Sequence, residues 1–251
     1  MHFLEALKEQ IIVLDGATGT MIQSLDLNDG HFGGPDYRML SDLLCYSRPD
    51  DMKGIHLAYY RARANAVETN TFGASPMRLS EYNFAGLDMT QWAPVPYDID
   101  LRTLGYDDFA YWLSRRGAEI GVSAREEYRA SAEYDGRPLY VIGAIGPSNR
   151  GLSATKADLT VSTFEAIMDN FYHQVKGLVD GGADVLLYET QQDILELKAA
   201  VLGGLKAMAD LGVRLPIMAQ VTVDQFSKMQ IFNTDIPAAM VTMQGIGIDV
   251  F

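Results

Sequence analysis

Asp184-Val185-Leu186-Leu187-Tyr188-Glu189-Thr190 decides the fold class. Its apolar run is continuous rather than alternating, the mark of a strand buried on both faces. Before it, Phe164, Ile167, Met168, Phe171, Val175, Leu178 and Val179 keep a helical stripe, capped by Ser162 or Thr163 and stopped at Gly181-Gly182. After it, Ile194, Leu197, Val201, Leu205 and Met208 form a second stripe that closes near Gly212. Helix, buried strand, helix is the repeat of a parallel sheet covered by helices.

The alternation extends both ways. Upstream, Leu139 to Ile145 reads as a buried strand ending at Gly146-Pro147-Ser148-Asn149-Arg150, preceded by a helix from about Asp107 to Ala132. Ala66 to Asn70 reads as a short strand after a helix that starts at Pro49 and puts Met52, Ile55, Tyr59 and Ala62 on one face. Ile11 to Leu14 reads as a short buried strand behind a leading helix over residues 3–9. Downstream come a strand from Pro216 to Val223, a helix over 234–244, and Asp249-Val250-Phe251 as the opening of a sixth strand.

Five complete strand–helix units and the start of a sixth predict an α/β chain of the (β/α)8 TIM-barrel class, truncated after about five units. Residues 1–251 are accordingly expected to form one barrel domain, incomplete at its C-terminus. A doubly wound open sheet is the runner-up, although the turn Gly16-Ala17-Thr18-Gly19 lacks the G-x-G-x-x-G spacing of dinucleotide sites. Residues 24–47 read as loop, and 85–108, with Trp92, Pro94 and Pro96 and no period, as an insertion.

Twenty basic against 33 acidic residues give a net charge of −13, which argues against nucleic acid and anionic membranes as partners. No apolar run approaches the roughly 18–20 residues of a membrane span, and the N-terminus lacks the basic and apolar regions of a secretory signal. With one cysteine, Cys45, there is no internal disulfide, and the expected location is the reducing cytoplasm. The same count excludes a multi-cysteine metal site within this chain. Cys45 reads as a loop residue and a weak nucleophile candidate. His2, His31, His56 and His173 share no metal-ligand spacing and read as surface or packing residues.

In such a barrel the site lies at the C-terminal ends of the strands. Asp15, Glu68 with Asn70, Asn149, Glu189, Thr222 and Asp224 fall there. Asp15 leads into Gly16-Ala17-Thr18-Gly19-Thr20, a turn that offers backbone N–H groups beside an acid. N–H groups suit a carboxylate and the acid suits an ammonium, so a small zwitterion fits. Alternatively, Asp15 caps an ordinary strand-to-helix turn, and Glu68 and Glu189 are acids at helix N-termini. Both readings stay open on the residues alone.

Val13-Leu14-Asp15-Gly16-Ala17-Thr18-Gly19-Thr20-Met21-Ile22-Gln23, Glu68-Thr69-Asn70-Thr71-Phe72, Gly146-Pro147-Ser148-Asn149-Arg150, Glu189-Thr190 and Leu215-Pro216-Ile217-Met218 stand in an order and spacing that resembles a known family. The family is that of the homocysteine S-methyltransferases: the homocysteine-binding barrel of cobalamin-dependent methionine synthases and, more distantly, the betaine–homocysteine methyltransferases. The resemblance implies transfer of a methyl group, carried by methylcobalamin in the synthases, to the thiolate of L-homocysteine. It implies that Asp15 and Glu189 hold the substrate's ammonium and that the N–H groups of Gly16, Ala17, Thr18, Gly19 and Thr20 face its carboxylate. Glu68 and Asn70 would line the mouth, with Asn149 among the substrate-binding residues.

In that family a zinc ion held by three cysteines keeps the substrate sulfur as a thiolate. Those cysteines follow the sixth strand and end the eighth, beyond this chain, and Cys45 matches neither place. Zinc and cobalamin are therefore expected only for a complete parent, which would add the second half of the barrel and cobalamin and folate domains. This chain alone is expected to bind neither cofactor and not to catalyse. After the fifth strand, Gln220-Val221-Thr222-Val223-Asp224-Gln225-Phe226-Ser227 lacks the glycines usual in the family. Two other readings are a truncated, non-catalytic binding module and a barrel enzyme using its acidic mouth with a hard metal such as Mg²⁺.

Overall fold

Continuous apolar strands need cover on both faces, and the architecture provides it. A computed structural model describes residues 1–153 and 162–251. Along the chain run α1 (Phe3–Glu9), α2 (Thr18–Gln23), α3 (Leu44–Ser47), α4 (Pro49–Arg61), β1 (Ala66–Glu68), α5 (Pro76–Leu79), α6 (Tyr106–Ala130) and β2 (Tyr140–Ile145). They are followed by α7 (Phe164–Asp180), β3 (Val185–Gln191), α8 (Ile194–Asp210), β4 (Ile217–Val221) and α9 (Ile236–Gly245).

The four strands form one all-parallel sheet in the order β1-β2-β3-β4. Leu14 adds a parallel bridge to Ala66 on one side, and Val250 a parallel bridge to Met218 on the other. Strand order follows chain order with no reversal, whereas a doubly wound sheet reverses at its switch point. Helices α6, α7 and α8 lie side by side over one face. There Tyr188 Oη of β3 donates to the Ala200 carbonyl of α8 at 3.2 Å. The opposite face packs on α1: Phe3 and Ala6 meet Ala66, Tyr140, Ile142, Val185, Leu187 and Met218.

Caps set the helix starts. Thr163 accepts from the Ala166 N–H, Asp193 from Leu195 and Asp235 from Ala238. Gly182, at φ +90°, takes the left-handed turn out of α7 that a side chain would resist.

Three expectations change. The first strand shrinks to the Leu14 bridge: Ile12 is buried, but Ile11 is 87% and Val13 51% exposed. It pairs with β1 on one side only, and among the described residues no strand covers the other. Residues 24–47 are not open loop. They carry 3₁₀ turns at Asp29–Phe32, Pro35–Tyr37 and Ser41–Leu43 and then α3, and they bury Phe32, Tyr37, Leu40, Leu43, Leu44, Cys45 and Tyr46 in a second core. Cys45 thus sits in a buried helical turn, not in a loop. Short 3₁₀ turns have no period long enough to register in sequence.

Residues 85–108 pack on the same core through Leu87 and Leu101, and the Trp92 indole donates to the Gly30 carbonyl at 3.2 Å. No helix among the described residues is long and apolar enough to cross a membrane.

Candidate functional site

Strand alternation places the acids. Ala66 and Leu187 face α1, so Glu68 and Glu189, each two residues further along, project on the same face toward the C-terminal ends of β1 and β3. Asp15 joins them from the neighbouring pass. Its N–H donates to the Ala66 carbonyl at 2.9 Å, and its Oδ2 accepts from the Glu68 N–H at 3.0 Å. Its other oxygen, Oδ1, is buried with no hydrogen-bond partner among the described residues.

Electrostatics bind the three into one group. Burial, then the charge of Glu68 and more weakly that of Glu189, pushes Asp15 up to about 8 against the lowering effect of the Glu68 N–H. Burial and then Glu68 push Glu189 up to about 7, and burial raises Glu68. None of the three forms an ion pair among the described residues. Carboxylates that are desolvated, mutually repelling and uncompensated are relieved by a cationic ligand.

Local backbone carries Glu189 in a special way. The β3–β4 register breaks between Tyr188 and Gln191, and Thr190 lies at φ +58°. A β-branched residue in the left-handed region is strained, and such strain gathers at functional positions.

The remaining sequence candidates are distributed differently. The turn Gly16–Thr20 is largely exposed and passes into α2, with Thr20 Oγ1 bonded to the Ala17 carbonyl at 3.0 Å. Asn70 is buried and donates to the Ser41 carbonyl at 2.8 Å, tying the end of β1 to the second core. Asn149 donates to Glu81 at 2.6 Å and borders a cavity of about 210 Å³ lined by residues 147–151, Asp193, Glu196 and Phe232. Neither amide shares a hydrogen bond with the acid group among the described residues. Asp224 does not join it either, because its carboxylate accepts the Phe226 and Lys228 N–H groups of its own turn.

Sequence reading passed over three residues near these sites. Glu196, almost fully buried, accepts from the Ser148 N–H at 2.7 Å and is pushed up to about 7 by burial. Asp193 accepts from Leu152, Ser153 and Leu195. Tyr59 donates to the Ala17 carbonyl at 3.2 Å. The signal for Tyr59 was slight: one hydroxyl on an otherwise aliphatic stripe.

The sequence model of the homocysteine S-methyltransferases matches residues 12–250. The chain belongs to that family. It is 33% identical over 246 residues to a methionine synthase of Mycobacterium tuberculosis and 32% identical over 246 residues to that of Mycobacterium leprae. Each match covers 98% of this chain, which spans 18% of the length of each relative.

Among solved structures, the metallated form of the homocysteine methyltransferase MmuM of Escherichia coli aligns with a TM-score of 0.69 at 23% identity. The match covers 97% of this chain and 74% of that one. The apo form aligns at 0.62 and 21% identity, with 96% and 70% covered. At such identities the likeness concerns the fold, an α/β arrangement on a parallel sheet.

Zinc, which the family resemblance implies, can be tested against the donors present. Cys45 Sγ is buried, bonded to the Asn70 carbonyl at 3.4 Å, and its thiol is pushed up to about 12 by burial and then by Asp42. Among the described residues no three His, Cys, Asp or Glu side chains gather as a metal-ligand set, the acid group included. These residues do not fit a thiolate-bound zinc.

Proposed function

We propose that this chain is the homocysteine-binding part of a homocysteine S-methyltransferase of the methionine synthase type, built as the first units of a (β/α)8 barrel, with 85–108 as an insertion. The single observation that carries the site is the uncompensated group Asp15, Glu68 and Glu189 at the C-terminal ends of parallel strands. Sequential strand order and the single layer of helices α6 to α8 support the barrel reading.

In this reading Asp15 and Glu189 hold the ammonium of L-homocysteine. Glu68 lines the pocket and, through its N–H, orients Asp15. The N–H groups of Gly16 to Thr20 face the substrate carboxylate. Asn70 and Asn149 support the surrounding loops. Methyl transfer to the thiolate, methylcobalamin as donor, zinc as the sulfur's activator and a cytoplasmic setting are proposals for the whole protein. This chain supplies recognition.

An arriving ammonium favours the charged form of Asp15, so binding near neutral pH releases protons. Titration calorimetry with L-homocysteine under reducing conditions tests the reading. The expected result is saturable binding whose enthalpy varies with the buffer's ionisation enthalpy. A wild-type chain that takes up no L-homocysteine refutes it.

A further inference from the structure

Tyr59 shares a stripe with Met52 and Ile55, yet those two are buried and Tyr59 is only partly so. Side chains on a helix lean toward its N-terminus. In α4, which feeds β1 through the short connection 62–65, that is the direction of the C-terminal ends of the strands. There the Tyr59 hydroxyl donates to the Ala17 carbonyl at 3.2 Å. Its ring also walls Gly16: a methyl group built on Gly16 would stand 3.1 Å from the hydroxyl oxygen and 3.4 Å from Cε1.

On the near side of Gly16, the Asp15 N–H is bonded to the Ala66 carbonyl at 2.9 Å. The segment Asp15–Ala17 is thus pinned at both ends, by the sheet at Asp15 and by Tyr59 at Ala17. The other bond to the Ala17 carbonyl comes from Thr20 within the same turn, which cannot anchor that turn to the body of the molecule. Asp15 is also near enough for its charge to add to the burial that raises the Tyr59 hydroxyl.

We infer that Tyr59 is a positioning residue for ligand recognition: by holding Ala17 and walling Gly16, it fixes the backbone N–H groups of that turn beside the acid group. This rests on the reading of the Gly16–Thr20 turn as the place where the ligand's carboxylate is met. Without the hydroxyl Asp15 keeps its bonds to the Ala66 carbonyl and the Glu68 N–H, but Ala17 loses its tie to the body of the molecule and the turn's N–H groups sample orientations that do not meet the carboxylate.

The test is Tyr59→Phe in the full chain, titrated with L-homocysteine and with 3-mercaptopropylamine, which lacks the carboxylate. Loss of one such bond is expected to weaken L-homocysteine roughly five- to tenfold and to leave 3-mercaptopropylamine unchanged. Equal losses for both ligands, or no loss, overturn the inference. Gly16→Ala adds a cycle: it should cost more affinity beside Tyr59 than in the Tyr59→Phe background, and equal costs count against the contact.

Amide exchange at Gly16 and Ala17 separates this inference from the ligand reading. If the wild-type chain binds no L-homocysteine but Tyr59→Phe speeds exchange there, the pin stands and the ligand assignment fails. Unchanged exchange removes the pin itself.

Discussion

At the scale of single residues, two buried titratable groups set opposite demands. Asp15 is raised to about 8 in the folded chain from an ordinary carboxylate value of 3.8. The folded state therefore binds more protons than the unfolded one between those values. The stability this confers is full below about 4 and is lost as pH rises through about 8. Asp15→Asn keeps an oxygen for the Glu68 N–H and removes the charge. It is expected to raise Tm by several degrees near pH 8 while weakening L-homocysteine more than tenfold, with scanning calorimetry and titration as the paired measurements.

His56 works the other way. It is 1% exposed, neither ring nitrogen has a partner among the described residues, and burial lowers it from 6.5 to about 4. The unfolded chain binds the extra proton between those values, so stability falls as pH drops from about 6.5 to about 4, by on the order of 3 kcal/mol in all. In His56→Leu, urea midpoints should fall less over that range than in the wild-type chain. Parallel pH slopes would contradict the assignment.

Among elements, close helix crossings decide where glycine is needed. A methyl group on Gly203 of α8 would stand 2.0 Å from the Met168 carbonyl oxygen of α7, and one on Gly177 of α7 2.2 Å from that of Tyr111 in α6. Backbone meets backbone at both crossings, so neither side can yield by turning a side chain. Gly203→Ala gains helix propensity of about 1 kcal/mol yet is expected to destabilise by roughly 1–3 kcal/mol through overpacking. Gly54→Ala on α4, where an added methyl would meet no atom of the described residues within 4 Å, is expected to stabilise by about 0.5–1 kcal/mol. Urea denaturation of the two variants reads both signs.

Across the whole molecule, charge and edges matter most. A net charge of −13 makes the folded chain repel itself. Its Tm is expected to rise as salt is added to about 0.15 M, where the screening length falls to about 8 Å. Both edges of the sheet formed by the described residues carry exposed apolar groups: Ile11 and Val13 on one, Phe251 beside the other. An unpaired edge of this kind templates association. Val13→Lys is expected to lower concentration-dependent association in light scattering with little change in Tm, since Val13 is half exposed and contributes little burial.

Much of this was legible in the chain. Asp184 to Thr190 and its flanking stripes determined a parallel α/β sheet, because continuous apolar runs and helical periods are one-dimensional records of burial. Asp15, Glu68 and Glu189 were legible as strand-end acids, since strand ends follow from strands. The tertiary structure alone decided which of the candidates meet. Asn70, Asn149 and Asp224 sit at equivalent places along the chain, yet they spend their polar atoms on Ser41, Glu81 and a local turn. The second core of residues 24–47, the burial of His56 and the reach of Tyr59 to Ala17 were also decided there. Each depends on contacts between distant segments, and a pattern of neighbouring residues holds no record of them.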